Sequence, residues 1–327
     1  MRYLLLAYCV LAVCFATLAQ KKIKERKAFQ KEPDGIASRL ILHEQYDPQG
    51  NLLYAYQPDL HCEMTYSYDE QNRLVQSYQM CGENVWNGTL VYSYPAPNVV
   101  VVQSREMVAG STYLRRDTLD AARKLIASWS YWTMPNQTAD SIITYTRYTY
   151  SPKGLLLRTQ TRTIVYDRRY PQQPDSQTDE VEEFEYNRYD SLTTRYVYAA
   201  NAPQQKRMTY QAQFDSLSGR KVESFEQPSA DGAITRREYI YDEVGRLSHF
   251  KSWYLPSDEA AWMMSHEILY RYPNERERIE IWRTYYQNAF DVEEVKTFQD
   301  NLLTRVTVLD EKGQGRQLVV YQYTYYD

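Results

Sequence analysis

Residues able to do chemistry are sparse in this sequence, and their spacing argues against most reactions. Four histidines, His43, His61, His249 and His266, stand apart, and none lies at metal-ligand spacing from another. His61 adjoins Cys62, but neighbours on a strand point to opposite faces, so one ion is not held by both. No metal site and no cofactor are expected. No serine sits in a Gly-x-Ser-x-Gly elbow, and no cysteine is tied to a histidine by a motif, so nucleophilic catalysis has no support. Glu182-Glu183 and Glu293-Glu294 are the acidic pairs that a glycan-cleaving enzyme would draw on. On a strand each pair gives only one carboxylate to a face, and solvated edge charge is the better account of them.

Of the four cysteines, Cys9 and Cys14 fall in an apolar N-terminal stretch that reads as a removable export signal. Arg2 supplies its positive end, Tyr3 to Leu18 its apolar run, and Thr17-Leu18-Ala19 its small-residue cleavage site. The run is about 16 residues, short of the roughly 20 needed to span a bilayer as a helix. The competing reading is an uncleaved anchor, with the lysines after Gln20 as its cytoplasmic flank. Cys62 and Cys81 then remain, and in an oxidising compartment an isolated pair predicts one disulfide. The absence of a Cys-x-x-Cys argues against redox catalysis. Residues 20–35 are basic without a packing pattern and read as a flexible lead-in. The chain carries a net charge of −4, so no global basic field exists to hold nucleic acid. Arg115-Arg116, Arg168-Arg169 and Arg236-Arg237 are local pairs that fit solvated strand faces.

Those residues must be positioned by strands. The chain is 43% hydrophobic and 24% charged, ordinary for a protein with a core, but it holds 33 Tyr against 8 Phe and 6 Trp. Tyrosine favours strands and has an apolar body with a polar tip, so the bias points to sheets with partly wet faces. An internal repeat organises them. Tyr46-Asp-Pro-Gln-Gly-Asn-Leu52, Tyr68-Asp-Glu-Gln-Asn-Arg-Leu74, Tyr150-Ser-Pro-Lys-Gly-Leu-Leu156 and Tyr241-Asp-Glu-Val-Gly-Arg-Leu247 align without gaps. Degenerate copies begin at 94, 119, 186, 214 and 272, and Leu309 to Gly313 reads as a late one. The motif is hairpin-turn chemistry. Asp47, Asp69 and Asp242 start the turn by accepting backbone hydrogen bonds, while Gly50, Asn72, Gly154 and Gly245 tolerate its positive φ. The flanking Tyr and Leu become cross-strand neighbours. Period-two alternation beside the turns predicts an antiparallel meander.

These copies resemble the YD-repeat (Rhs-type) family over about residues 38–327, as a short secreted bacterial member without a toxin domain. The resemblance implies a long antiparallel sheet that winds spirally, as toxin shells or as extracellular modules that bind glycans or proteins. With a strand-like stretch at its end, this chain is expected to carry no toxin domain.

The expected fold is therefore all-β, one repeat domain over 36–327 after a signal at 1–19. It is an antiparallel meander of β-hairpins forming a long, twisted, curved or partly wrapped sheet of about 16 to 20 strands. Rows of aromatic rings are the candidate ligand faces: Tyr321, Tyr323 and Tyr325 in one, Trp253 beside Phe250 and Tyr254, and Trp282 with Tyr286. Such rows could stack on sugar rings, or simply form core. Asp-hydroxyl-aliphatic triplets place Thr118, Ser141, Ser191 and Ser216 as candidate acceptors, because they resemble the O-glycosylation motif of exported proteins in one group of gram-negative bacteria. Asp-Ser is also ordinary turn chemistry. The function expected is non-enzymatic: an exported binding or scaffold protein, periplasmic or at the cell surface of a gram-negative bacterium. Its partner would be a glycan or an envelope protein, with no nucleic acid and no membrane span after signal cleavage. A glycan-active enzyme and an integral outer-membrane β-barrel are the alternatives. Against the barrel, Arg278 and Glu280 on one parity and Arg283 on the other put charge on both faces.

Overall fold

The computed structural model describes residues 22–31, 38–82, 87–105, 112–133, 139–167, 173–227, 232–257, 261–286, 289–309 and 315–325. The expected signal at 1–19 lies outside them. Among the described residues, twenty-two strands make one sheet. They are β1 (Ile23–Lys31), β2 (Ser38–Tyr46), β3 (Leu52–Gln57), β4 (Cys62–Tyr68), β5 (Leu74–Met80), β6 (Gly88–Ala96), β7 (Val99–Arg105) and β8 (Thr112–Leu119). Next come β9 (Leu125–Thr133), β10 (Ala139–Tyr150), β11 (Leu156–Asp167), β12 (Pro174–Tyr186), β13 (Leu192–Ala199), β14 (Arg207–Phe214) and β15 (Lys221–Glu226). The last are β16 (Ile234–Tyr241), β17 (Leu247–Leu255), β18 (Met263–Asn274), β19 (Glu277–Tyr286), β20 (Ala289–Gln299), β21 (Leu302–Leu309) and β22 (Gly315–Tyr325).

Each strand pairs antiparallel with the next, and β1 also pairs antiparallel with β22, from Ile23 opposite Tyr325 to Lys31 opposite Leu318. The sheet is therefore a closed barrel. This overturns the open or spirally wrapped sheet, and with it the YD-repeat, Rhs-like description of the whole chain. The strand count also exceeds the expected range. Closure needs β1, which comes from the basic stretch expected to be a flexible lead-in. It escapes a hydrophobic pattern search because its inward residues are Arg26, Ala28 and Gln30, and only Ala28 is apolar. Arg26 is held by Glu44 on β2, 2.6 Å away.

The repeat fixes one end of the barrel. Connections after even-numbered strands all lie there, together with the start of β1 and the end of β22. Asp69 Oδ1 accepts from the backbone N–H groups of Gln71 and Arg73, and Asp242 and Asp47 accept likewise from Arg246 and Asn51. The fourth residue after each motif's first tyrosine takes positive φ: Gly50 +95°, Asn72 +64°, Gly154 +87° and Gly245 +84°. Tyr68 pairs with Leu74 and Tyr241 with Leu247, each beside a register shift. Leu309 to Gly313 is not such a turn, because β21 ends at the opposite end of the barrel, where 310–314 lie outside the described residues. At the repeat end the corresponding turn is Asp300-Asn301, both with positive φ.

Following register partners around the ring divides the side chains into two faces. Ala28, Ala55, Val102, Ile268 and Val319 are buried on one face, with Ser224 and Ser252. Tyr145, Met208 and Ile240 stand exposed on the other, where Val181, Tyr198, Glu267 and Ile281 are among the buried exceptions. Side chains on the concave side of a closed wall converge and screen one another, so the first face is the inner one.

Candidate functional site: the inner wall

The aromatic rows read along strands are not what the structure assembles. Tyr321 and Tyr323 do share the inner face, but the Tyr323 hydroxyl is committed to the Leu303 carbonyl at 2.7 Å. Tyr325 stands exposed at the rim. Trp253 points outward, with the Arg236 guanidinium 5.3 Å from its ring centroid. Trp282 points inward and donates its Nε1–H to Glu280 at 2.8 Å. The side chain of Tyr286 lies outside the described ones.

The row that exists runs across strands. Lys221 on β15 lies 4.3 Å from the Tyr239 ring on β16, and Tyr239 meets Phe250 on β17 edge-on at 5.2 Å. Phe250 meets His266 on β18 at 5.5 Å, and His266 stacks on Trp282 of β19 at 6.4 Å. Lys296 on β20 covers the far side of Trp282 at 3.9 Å. Ring faces in this row are taken up by each other and by a lysine at each end. The arrangement stiffens a panel of wall, and it offers little free ring face to a sugar. Nothing along one strand marks His266 as a member. Only the register of β16 to β19 does.

Charge lies on both faces. Inside, Arg26 pairs with Glu44, Arg115 with Asp117, Arg278 with Glu280, and Lys296 with Glu294. Arg195 and Arg237 share Glu226, at 3.2 and 2.9 Å. Outside, Arg236 bridges Glu223 and Glu238, Arg283 lies between Glu267 and Glu293, and Arg162 holds Asp179. Arg236 and Arg237 thus serve opposite faces, so the pair is not one solvated strand face.

The acidic pairs divide the same way. Glu182 and Glu294 point inward, Glu183 and Glu293 outward. Glu183 accepts from Tyr198 and Lys206, Glu182 from Thr159, and Glu293 and Glu294 pair with Arg283 and Lys296. None of the four faces another carboxylate of these pairs. Among the described residues no group of three or more His, Cys, Asp or Glu could hold a metal ion.

Cys62 and Cys81 are joined by a disulfide at the mouth of the β4–β5 hairpin, away from its turn, and both are buried. Of the acceptor candidates, Thr118 and Ser141 are half-buried within strands, and Ser191 is half-buried in a turn. Ser216 stands exposed in the 215–220 turn beside Leu217, which is 90% exposed. Aspartates at the turn end are held below the ordinary carboxylate range. The Arg73 side chain does this for Asp69, the Ser218 hydroxyl for Asp215 and the Arg276 guanidinium for Asp300.

No family model matches the sequence, and no characterised protein matches it. Two similar solved structures are porin-like. One, a porin-like protein from Bacteroides vulgatus ATCC 8482, is 8% identical over 93% of this chain and 99% of its own, with a TM-score of 0.24. Another, from Bacteroides uniformis ATCC 8492, is 8% identical over the same shares, with a TM-score of 0.19. Superpositions this loose leave the barrel's own geometry to carry any reading of function.

Proposed function

We propose that this chain is an exported, non-enzymatic β-barrel of the gram-negative envelope, of the outer-membrane type, whose closed wall encloses a passage. The observation that carries the reading is the β1–β22 pairing, which leaves an even-stranded barrel without an edge. Tight turns and both ends of the sheet fall at one end, the arrangement of single-chain outer-membrane barrels. Barrel diameter grows with strand number, and barrels of 16 to 18 strands already leave an aqueous channel. Among the described residues each strand lies close chiefly to its two ladder neighbours.

A second reading, the same barrel standing in water as an envelope binding protein, is favoured by a separate observation. The outward face carries Arg162, Arg236, Lys251 and Arg283, and Arg or Lys there costs about 2–4 kcal/mol at a bilayer midplane. β3 and β15 have six residues each, short of the 9–11 needed to cross. Fractionation decides between them. On the first reading the protein stays with outer membranes through a high-salt wash, leaves only in detergent, and releases small solutes from liposomes after reconstitution. Recovery in the aqueous fraction would overturn it in favour of the second.

A further inference from the structure

On the inner wall over β13 to β16, two arginines converge on one carboxylate. Glu226 is shared by Arg195 and Arg237. Lys221, from the same strand as Glu226, lies against the Tyr239 ring. Arg195 also donates Nε–H to Thr209 at 2.8 Å. Glu182, one strand away on β12, accepts from Thr159. Arg237 spends one of its five N–H groups on Glu226, leaving donors unspent.

The second observation is Ser224. It is the register partner of Arg237, it is 0% exposed, and its Oγ has no hydrogen-bond partner. A buried hydroxyl left so is costly unless a partner reaches it. Ala212 and Ser252 flank this level on β14 and β17, and both are buried small residues. Spare guanidinium donors, an excess of positive charge and an unmet hydroxyl together describe the chemistry of an oxyanion.

We infer that this patch of the inner wall binds an oxyanion, phosphate or carboxylate, carried by a solute in the lumen, with Arg237 and Arg195 as its donors. Rings of Arg and Lys perform this role in anion-selective pores. The inference rests on the reading that the barrel encloses a solute-filled space.

Calorimetry on the purified protein tests it with inorganic phosphate, with glucuronate, and with glucose as a neutral control. Saturable binding of phosphate, glucuronate or both is expected, and which one binds names the source of the oxyanion. Arg237→Gln should weaken it about tenfold, the loss of one charge-assisted bond. Arg236→Gln, the neighbouring arginine on the outer face, should leave it unchanged. Ser224→Ala, which alters neither charge nor the ion pairs, should weaken it less than Arg237→Gln. No saturable binding, or equal losses in the Arg236 and Arg237 variants, would overturn the site. The assay needs no insertion into a bilayer, so failure of the liposome experiment leaves it standing, and its own failure leaves the barrel reading standing.

Discussion

The Tyr272 hydroxyl donates to the Leu247 carbonyl at 3.0 Å, joining the tyrosine that closes one hairpin to the leucine that follows the turn before it. The β17–β18 ladder stops at His249 opposite Leu269, so Leu247 lies past its last backbone pair. The phenol extends the ladder by one bond. The relation recurs at Tyr68 to Leu52, Tyr94 to Leu74, Tyr150 to Leu125, Tyr186 to Leu156 and Tyr241 to Lys221. The motif's basic residue adds to it, since Arg246 stacks on Tyr272 and Arg73 on Tyr94, each at 4.3 Å. Each repeat therefore clasps the next.

Tyr272→Phe keeps the ring under Arg246 and removes only the bond to Leu247. A loss of about 1 kcal/mol is expected, visible as a lower urea midpoint. Tyr254→Phe is the control, because no clasp of this kind engages its hydroxyl, and an equal loss there would remove the special place given to the motif tyrosines.

Gly245→Val should destabilise by about 1–2 kcal/mol. Its φ is +84°, which a β-branched residue resists, and an added Cβ would meet the Arg220 guanidinium. Gly245→Asn, which tolerates left-handed backbone, should cost less. A ranking with Asn as the worse replacement would refute the conformational argument.

Replacing both Cys62 and Cys81 by Ser opens a loop spanning 19 residues in sequence. Chain entropy alone puts the loss at about 3 kcal/mol. The same shift should appear when the native protein is reduced, and reduction should leave the double variant's midpoint where it was.

Acid should loosen the turn end first. Asp69, Asp215 and Asp300 are all lowered in the folded protein, so the unfolded chain takes up protons before the folded one does. Their contribution is complete above the ordinary aspartate value of 3.8 and is lost as pH falls through the lower folded-state values. Hydrogen exchange at the turn amides should therefore accelerate in that range ahead of the mid-strand amides. In Asp69→Asn the 69–73 turn should exchange faster at neutral pH and show a smaller acid response.

The hairpins were legible in the sequence because their chemistry is local. Asp69, Asn72 and Arg73 lie within five residues, and their hydrogen bonds and φ values need no distant partner. Period-two alternation gave the strands for the same reason. Closure was not legible. It joins β1 to β22 from opposite ends of the chain, and the inward residues of β1 read as solvated until Glu44 and Tyr323 are set around Arg26. The alternation shows that a strand has two faces, but only the curvature of the closed wall decides which is inside. Arg236 and Arg237 are sequence neighbours that this decision sends to opposite environments. The aromatic row was missed on the same ground, since Tyr239, Phe250, His266 and Trp282 come from four strands and meet only through register. By itself the sequence determined the turn, the pleat and the length of each repeat, which depend on bonds among near neighbours. The tertiary structure decided closure, inside and outside, and the company each side chain keeps, because those depend on pairings that no short stretch of chain contains.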